Sequence, residues 1–335
     1  MPHFGTPDEA PSPVLGGETA ERASETAPLV FIGGTGRSGT HVLSQLVSRH
    51  HRYALVPVEV RFHTDPEGFP GLLAGEVTPE AFVKRMRGFW WKGFQTSRFR
   101  GMYRFVDRER YDAALAAFEA GQGDDLPAAC RRLFYDLLWF RVDEDDRAIA
   151  LVEQSTDTVA RAEALTTIFP EARFLHVVRD GRDASASRVT QTRGLVRPRT
   201  RIQGIEWWEQ RIRAIERGAD TIPEGRLLTV SLDELVRLQR ARVALRPLFR
   251  FLGAPVTKRT RRYFSNRMTL EGANKERWRE GVSARKAARL AELYDAAVAR
   301  LEADGARCAP LLRHSLERAD DDREPLVYVY DRGPS

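Results

Sequence analysis

The chain has 335 residues, of which 42% are hydrophobic and 30% are charged. This composition is typical of a globular protein with a sizeable core. No apolar run approaches the roughly 20 residues that a membrane-spanning helix needs, so we expect no transmembrane segment. The net charge of +6 could indicate nucleic-acid binding. However, nearly all the basic residues are arginine in an alanine-rich chain, which is typical of a bacterial genome of high GC content. We therefore expect small anionic ligands and no nucleic acid.

The N-terminal segment and the two cysteines bear on cellular location. Residues 1–27 are rich in Pro, Gly, Ser, Thr and Glu and lack a basic start followed by an apolar stretch, which predicts a disordered tail rather than a secretory signal. Cys130 and Cys308 lie far apart and outside any CxxC motif or Cys/His cluster, so we expect neither a disulfide framework nor a metal site. These features favour a cytoplasmic protein.

Hydrophobic patterning along the chain predicts the fold class. Short β-branched runs alternate with longer helical patterns, which indicates an α/β fold with a central parallel sheet flanked by helices. We expect one domain over residues 28–315, a helical insertion at about 62–145 and a C-terminal extension over 316–335. The predicted strands are 29–33, 53–60, 148–153, 173–178 and 226–230, and the predicted helices after the first turn include 158–169 and 283–305.

A glycine-rich turn follows the first strand and opens a helix. It reads Gly33-Gly34-Thr35-Gly36-Arg37-Ser38-Gly39-Thr40-His41. Unpaired backbone N–H groups and the helix dipole favour a phosphate there. The spacing is similar to the P-loop GxxxxGK[ST], but Thr40 stands in the place of the lysine, which disfavours ATP with magnesium. Arg37 instead offers a charged fork to a phosphate oxygen, and Ser38, Thr40 and His41 offer side-chain donors.

A second anion site is predicted after the fourth strand. Arg179 stands at the strand end, and Ser187 follows eight residues later, two turns into the next helix. Both side chains could reach one phosphate beyond the carboxyl edge of the sheet. Taken alone, the run Arg-Asp-Gly-Arg-Asp from Arg179 to Asp183 is also typical of a salt-bridged turn. Together with the glycine-rich turn, it predicts a donor that carries two separate phosphate groups.

These two segments, in this order, resemble the sulfotransferase family that uses 3′-phosphoadenosine 5′-phosphosulfate (PAPS). The resemblance implies a P-loop-NTPase-like fold in which Gly36, Arg37, Ser38, Gly39 and Thr40 hold the 5′-phosphosulfate. It further implies that Arg179 and Ser187 hold the 3′-phosphate. Locally, Glu59-Val60-Arg61 is most similar to the tyrosylprotein branch, which implies that Glu59 is the catalytic base. The alternative for Glu59 is a strand-end carboxylate in a surface salt bridge.

The chain departs from this family at two places and matches it at a third. Relatives often carry a catalytic lysine after the third strand, where this chain has Gln154. A neutral amide can hydrogen-bond the leaving oxygen but cannot neutralise its charge, so either Arg37 does more of this work or a lysine or arginine from another segment contributes. A Tyr-Glu-Asp-Leu element is replaced by Leu-Asp-Glu-Leu at 232–235, which removes a tyrosine contact to the nucleotide. Residues 274–281 resemble the family's basic, Trp-containing loop and imply that Lys275 binds the nucleotide.

The resemblance implies in-line transfer of a sulfuryl group to a hydroxyl of a sugar, a phenol or another small molecule or glycan. Glu59 would take the hydroxyl proton while Arg37 and the N–H groups of the turn stabilise the departing 5′-phosphate. No metal is implied. The alternatives are a tyrosylprotein sulfotransferase, a P-loop small-molecule kinase and an inactive nucleotide-binding module.

Aromatic residues of the insertion alternate with basic ones and could either line an acceptor cleft or pack the insertion onto the sheet. They are Phe89, Trp90, Trp91, Phe94, Phe99 and Tyr103. His63 lies close enough to Glu59 in the sequence to assist acceptor binding, but we interpret it as a solvated loop histidine.

Overall fold

The computed structural model describes residues 29–93, 101–190, 198–238, 240–273, 275–317 and 326–330. The tail predicted for residues 1–27 lies outside this part of the chain. The described strands are β1 Leu29–Gly34, β2 Tyr53–Leu55, β3 Ala150–Glu153, β4 Arg173–Val178, β5 Leu227–Ser231 and β6 Tyr328–Tyr330. They form one sheet in the order β2-β3-β1-β4-β5-β6. The first five strands are parallel, and β6 pairs antiparallel with β5. The predicted α/β class with a central parallel sheet is confirmed.

The helices cover both faces of the sheet, and none that is described is long and apolar enough to cross a bilayer. In chain order they are α1 Thr40–Ser48, α2 Phe69–Leu73, α3 Pro79–Arg85, α4 Arg108–Gly121, α5 Leu126–Leu138, α6 Phe140–Asp143, α7 Ala162–Ile168, α8 Gly181–Val189, α9 Arg201–Ala219, α10 Leu232–Arg237, α11 Ala241–Phe251, α12 Lys258–Arg267, α13 Ala284–Ala303 and α14 Ala309–Glu317. Three short turns of other helix types are Met86–Trp90, Met102–Arg104 and Arg277–Arg279.

The core lies on both faces of the sheet, as β1 shows. Leu29 and Phe31 contact one apolar cluster that includes the helices inserted between β2 and β3. Val30 and Ile32 point to the opposite face and contact a cluster with α1 and α11. All four side chains are buried, which is why β1 reads as a continuous apolar run rather than an alternating one.

The prediction for the second strand is wrong at its C-terminal end. The strand was expected to reach residue 60, but β2 ends at Leu55. The Val56 N–H still donates to Val152 O at 2.9 Å, after which Pro57 has no N–H to offer β3. Arg61 then adopts a left-handed conformation with φ 61°. Glu59 therefore lies on a loop beyond the strand.

Two further elements differ from the prediction. The helix expected over 158–169 begins only at Ala162, after a series of turns. Strand β6 lies in the C-terminal extension over 316–335, where no strand is among those predicted. It is held in place partly by side chains, because the Tyr328 hydroxyl donates to Ala244 O and the Tyr330 hydroxyl donates to Pro247 O at 3.2 Å.

Parallel strands bring their carboxyl ends to one edge of the sheet. The glycine-rich turn follows β1, the Glu59 loop follows β2, and Gln154 follows β3 directly. Arg179 follows β4, and Leu232 follows β5. All five segments therefore meet at the same edge, and this edge carries the candidate site.

Candidate active site

The glycine-rich turn adopts a conformation that points backbone N–H groups toward one side. Gly36, Arg37 and Gly39 all have positive φ, at 79°, 64° and 100°, and Gly39 is the N-cap of α1. Successive residues of this kind form a concave arrangement of N–H groups that binds anions. A Cβ on Gly39 would lie 2.5 Å from a methyl carbon of Leu232, so glycine is required there for both conformation and space.

Within the turn, the Ser38 side chain points into the protein. Its Oγ is buried and has no hydrogen-bond partner among the described residues, and it lies 2.2 Å from the place a Cβ on Gly34 would occupy. Gly34 therefore makes room for the Ser38 hydroxyl. Ser38 does not line the cavity described below, so its backbone N–H is the group that it can offer an anion there.

The two predicted anion-binding segments are in direct contact. Arg37 Nε donates to Ser187 Oγ at 2.9 Å, across 150 residues of sequence. Arg179 Nη1 donates to the Arg37 carbonyl at 3.1 Å, and Arg179 Nη2 donates to Ala273 O. The end of β4 is thus tied to the turn after β1. Arg179 is 7% exposed, so its charge lies in a largely desolvated wall, where it attracts anions more strongly than at a solvated surface.

An open cavity of about 660 Å³ lies over these segments. Its volume is within the usual range for small-molecule sites. The lining residues are Thr35, Gly36, Arg37, Gly39, Thr40, His41, Val42, Glu59, Arg61, Thr156, Asp157, Arg179, Arg188, Trp207, Arg211, Leu232, Val236, Arg267, Met268, Gly272 and Ala273. Because the strand order places β2 and β3 on one side of β1 and β4 and β5 on the other, the cavity has a Glu59 end and a Leu232 end.

Glu59 faces the cavity, where its side chain is exposed. The surrounding walls nevertheless displace much of the bulk water, and this desolvation raises the pKa of Glu59 to about 7. Arg61 acts in the opposite direction, while Glu153, Asp157 and Asp65 raise the pKa of Glu59 further. An accessible carboxyl group with a pKa near 7 has the properties of a general base.

The expectation of a solvated loop histidine at position 63 is wrong. His63 is completely buried, and its Nε2 lies 2.9 Å from Glu153 Oε2. The same carboxylate accepts from the Ser155 hydroxyl at 2.7 Å, and Ser155 Oγ accepts from the Arg61 N–H at 3.3 Å. These bonds attach the loop that carries Glu59 to the end of β3.

The comparisons with known proteins agree with this geometry. A family model described as the sulfotransferase family matches residues 28–258, which is more than half of the chain. The chain belongs to the sulfotransferase family. It is therefore an enzyme, a sulfotransferase, and its sheet with the phosphate-binding type of turn is the P-loop-like fold that the resemblance implied.

Several solved sulfotransferase structures are similar to this enzyme. The sulfotransferase domain of the Synechococcus PCC 7002 olefin synthase is 18% identical, with a TM-score of 0.49 over 77% of this chain and 89% of that domain. A sulfotransferase from Alicyclobacillus acidocaldarius is 17% identical, with a TM-score of 0.44 over 83% of this chain and 95% of the other. One from Mycobacterium avium is 16% identical, with a TM-score of 0.43 over 86% and 79%.

In this sulfotransferase, Gln154 does not line the cavity. The residue is 3% exposed, and its Oε1 accepts from Ser44 Oγ at 2.8 Å and from His41 Nδ1 at 3.1 Å. From the sequence, Gln154 could have hydrogen-bonded the leaving oxygen directly. In the structure, its amide oxygen contacts α1 instead. His41 itself does line the cavity.

The segment from Arg179 to Asp183 combines both of its predicted interpretations. Arg179 lines the cavity, whereas Asp180 forms an ion pair of 2.7 Å with Arg182. The Arg182 guanidinium lies 4.6 Å from the centre of the Trp278 ring and 4.8 Å from that of Tyr294. Arg179 therefore faces the cavity, whereas Arg182 stabilises the packing behind the cavity wall.

Lys275 lies behind the cavity wall and does not line the cavity. Its Nζ donates to Asp233 Oδ1 at 2.7 Å, and the same carboxylate accepts from the Asp180 N–H. Burial acts to lower the pKa of Lys275, but Asp233 and Asp180 outweigh it and raise that pKa. The ammonium group fixes the loop that follows α12, and its contact to the nucleotide stays a prediction.

The described aromatic residues of the insertion do not line the cavity. Trp90 is fully buried, and its Nε1 donates to Asp65 Oδ2 at 3.2 Å. Phe89 and Trp91 pack against the same core, and Tyr103 is 49% exposed. The packing alternative is therefore correct for Phe89, Trp90 and Trp91. Phe94 and Phe99 lie outside the described residues.

Four charged residues that line the cavity were not singled out from the sequence: Asp157, Arg188, Arg211 and Arg267. Asp157 and Arg211 form an ion pair at the Glu59 end of the cavity. Arg267 lines the cavity at its Leu232 end. A signal existed for Arg211, because it lies four residues after Trp207 on α9 and so shares its face of the helix. Arg267 lies at the end of a helix rich in arginine, and nothing in its local pattern distinguishes it from its neighbours.

Proposed function

We propose that this sulfotransferase transfers the sulfuryl group of PAPS to a hydroxyl of a sugar, a phenol or another small molecule or glycan, and releases adenosine 3′,5′-bisphosphate. The observation that carries the proposal is the contact between the two anion-binding segments, from Arg37 to Ser187 at 2.9 Å and from Arg179 to the Arg37 carbonyl at 3.1 Å. A donor with two separate phosphate groups fits two adjacent anion sites whose arginines, Arg37 and Arg179, both line the cavity, while Ser187 lies next to it on Arg37. ATP carries its phosphates in a single chain and needs one such site.

The residues present fit this donor. The N–H groups of the turn and the guanidinium of Arg37 would hold the 5′-phosphosulfate. Arg179 and Ser187 would hold the 3′-phosphate. The wall at the Leu232 end includes Leu232, Val236 and Met268, and this apolar surface would cover the adenine ring.

Glu59 is suited to activate the acceptor. The acceptor oxygen forms a bond to sulfur while the bond from sulfur to the 5′-phosphate oxygen breaks, and the hydroxyl proton passes to the Glu59 carboxylate. With a pKa of about 7, this carboxyl group is ionised in a large part of the molecules at neutral pH. It is also basic enough to share a proton with a hydroxyl in the transition state.

A binding comparison tests the donor. Adenosine 3′,5′-bisphosphate, adenosine 5′-monophosphate and ATP with magnesium would be titrated calorimetrically into the wild type, a Ser187→Ala variant and the control variant Ser48→Ala on α1. We expect the bisphosphate to bind more tightly than the monophosphate, and Ser187→Ala to reduce that preference about tenfold through the lost hydrogen bond. Ser48→Ala should leave it unchanged.

Turnover is tested by incubating the protein and labelled PAPS with a bacterial metabolite extract and searching for a sulfated product by mass spectrometry. Magnesium-dependent ATP turnover would favour the kinase instead. Bisphosphate binding with no product from any acceptor would favour an inactive nucleotide-binding module. A sulfated tyrosine in a protein fraction, without a small-molecule product, would identify the tyrosylprotein alternative.

We also infer a cytoplasmic location. Cys130 and Cys308 are both buried and unpaired, and burial raises the pKa of the Cys130 thiol to about 12. Free, protonated thiols suit a reducing compartment. In that compartment, an ATP-dependent reaction that activates sulfate would also have to supply PAPS.

A further inference from the structure

His41 is held in one orientation by groups on both sides of its ring. Its Nδ1 lies 3.1 Å from Gln154 Oε1, and its Nε2 lies 3.0 Å from Gln45 Nε2. Because an amide oxygen only accepts, Nδ1 must carry a proton, and Nε2 accepts from the Gln45 amide. Gln45 is fixed in turn, because its Oε1 accepts from the Tyr263 hydroxyl at 2.9 Å. The ring therefore has a defined tautomer at the rim of the cavity.

This arrangement can also hold the imidazolium. If the Gln45 amide rotates by half a turn, its oxygen accepts from His41 Nε2–H and its nitrogen donates to the Tyr263 hydroxyl, which can accept as well as donate. Gln154 Oε1 needs no change, because it accepts from Nδ1–H in both states. The residues around His41 thus satisfy its hydrogen bonds with or without the extra proton.

We propose that Gln154 acts on the reaction through His41. Gln154 is a positioning residue that directs the His41 ring. Both ring nitrogens are hydrogen-bonded within the protein, so it is the charge of the imidazolium form of His41 that meets the negative charge developing on the donor's 5′-phosphate. This inference rests on the proposed function. It assigns to His41 part of the work that the sequence left to Arg37 or to a cation from another segment, since Gln154 lies behind the cavity wall and His41 lies in it.

The geometry leads to an unexpected consequence for a lysine at position 154. Gln154 Oε1 receives two donors, from Ser44 and His41, in a site that is 3% exposed. An ammonium group there would place a third donor, with a charge, against the other two. Ser44 Oγ would keep the His41 carbonyl as its acceptor at 2.9 Å, but His41 Nδ1–H would retain none. Restoring the lysine that many relatives carry should therefore lower activity.

The test measures the release of adenosine 3′,5′-bisphosphate from PAPS with p-nitrophenol as acceptor. We expect His41→Leu to lower kcat about 100-fold, as for a lost charge that stabilises the transition state. Gln154→Met, which removes the acceptor at similar volume, should lower kcat about tenfold. Gln154→Glu, which keeps an acceptor for Nδ1–H, should lower it less than Gln154→Met. The matched control Gln122→Met at the end of α4 should have no effect.

The decisive comparison is the double variant. If Gln154 acts through His41, Gln154→Met costs nothing further in the His41→Leu background, because the two effects are not additive. Gln154→Lys should lower kcat in the wild type and raise it in the His41→Leu background, where the cation no longer opposes the imidazole. The ¹⁵N NMR signals of His41 should show a proton fixed on Nδ1 in the wild type and a mixture of tautomers in Gln154→Met.

Additive losses, or a higher kcat for Gln154→Lys in the wild type, would overturn the inference and show that position 154 meets the donor directly. In both cases the wild type still turns over PAPS, and the proposed function stands. A wild type that neither binds the bisphosphate nor releases it from PAPS would instead contradict the proposed function. The binding titrations confirm that each variant still folds and holds the donor product.

Discussion

At the scale of single residues, Glu59 shows how a cavity changes the chemistry of a side chain. The carboxyl group is open to solvent within the cavity, but the protein around it displaces enough water to raise its pKa to about 7. The same residue on a flat surface would be fully ionised at neutral pH and a weaker base. Its environment therefore matches the task that the proposed reaction gives it.

The first prediction concerns this residue and pH. Since the reaction needs ionised Glu59, kcat/KM should fall tenfold per pH unit below about 7. Glu59→Gln should lower kcat roughly 100-fold or more and remove this dependence on pH. The measurement is a pH profile of PAPS turnover for both proteins, with bisphosphate affinity as the control. A profile that is flat between pH 5 and 8 in the wild type would contradict the assignment.

The stability of the same two proteins should change with pH in the opposite sense. A carboxyl group whose pKa is raised in the folded state binds its proton more tightly there than in the unfolded chain. Ionisation of Glu59 thus destabilises the fold as pH rises from about 4.5 to 7, and the penalty is fully present above 7. Glu59→Gln should raise Tm at pH 8 and change it little at pH 4.5, which thermal unfolding at the two pH values would measure.

At the scale of elements, the junction of β1 and α1 is the most constrained part of the site. The turn places three residues at positive φ and leaves no room for a side chain at Gly39, which Leu232 of α10 covers. A requirement for glycine can come from conformation, from space or from both. The chain offers a comparison that separates the two causes.

The second prediction compares two glycines. Gly39→Ala combines a positive φ of 100° with a contact of 2.5 Å to Leu232, whereas Gly75→Ala combines a φ of 72° with open space. We expect Gly75→Ala to destabilise the fold by about 1 kcal/mol from strain alone. Gly39→Ala should cost about 2 to 4 kcal/mol, since overpacking adds to the strain, and should weaken bisphosphate binding at least tenfold. Equal losses of stability by denaturant unfolding would show that Leu232 moves aside freely.

At the scale of the whole molecule, the positive charge is not spread evenly. The segment 235–270 contains ten Arg or Lys residues and no Asp or Glu. Its contribution exceeds the net charge of +6 for the whole chain, so the remainder is net negative. Most of these cations lie exposed on α11 and α12, and Arg267 at the end of α12 lines the cavity. The basic helices therefore lead to the donor end of the cavity.

The third prediction follows from this uneven charge. The association rate of adenosine 3′,5′-bisphosphate should fall as salt rises from 20 to 300 mM, because charges beyond about 10 Å are screened. Arg259→Glu combined with Arg262→Glu should lower the rate at low salt and flatten its salt dependence. The matched control is Arg285→Glu on another helix. Stopped-flow binding would measure all three proteins, and an unchanged salt dependence in the double variant would show that the segment plays no part in association.

Much of this protein follows from its sequence, because the relevant signals are local. The apolar run of β1, the glycines after it and the spacing of Arg179 and Ser187 lie within short stretches, and they predicted the fold class, the turn and the family. Thr78 and Asp107, which belong to residue types that favour helix N-caps, likewise accept backbone N–H bonds at the starts of α3 and α4. Each of these features depends on neighbours within one strand, turn or helix.

Other features of the site depend on partners far away along the chain. Gln154 meets His41 across 113 residues, and Glu153 meets His63 across 90, so no local pattern could show that one amide faces away from the cavity or that one histidine is buried. The raised pKa of Glu59 likewise requires walls from several segments. Local sequence patterns were enough to predict the glycine-rich turn and the segment from Arg179 to Ser187 as candidate anion sites. Packing between distant segments decided which side chains face the cavity, because burial and hydrogen-bond partners are set only when those segments meet.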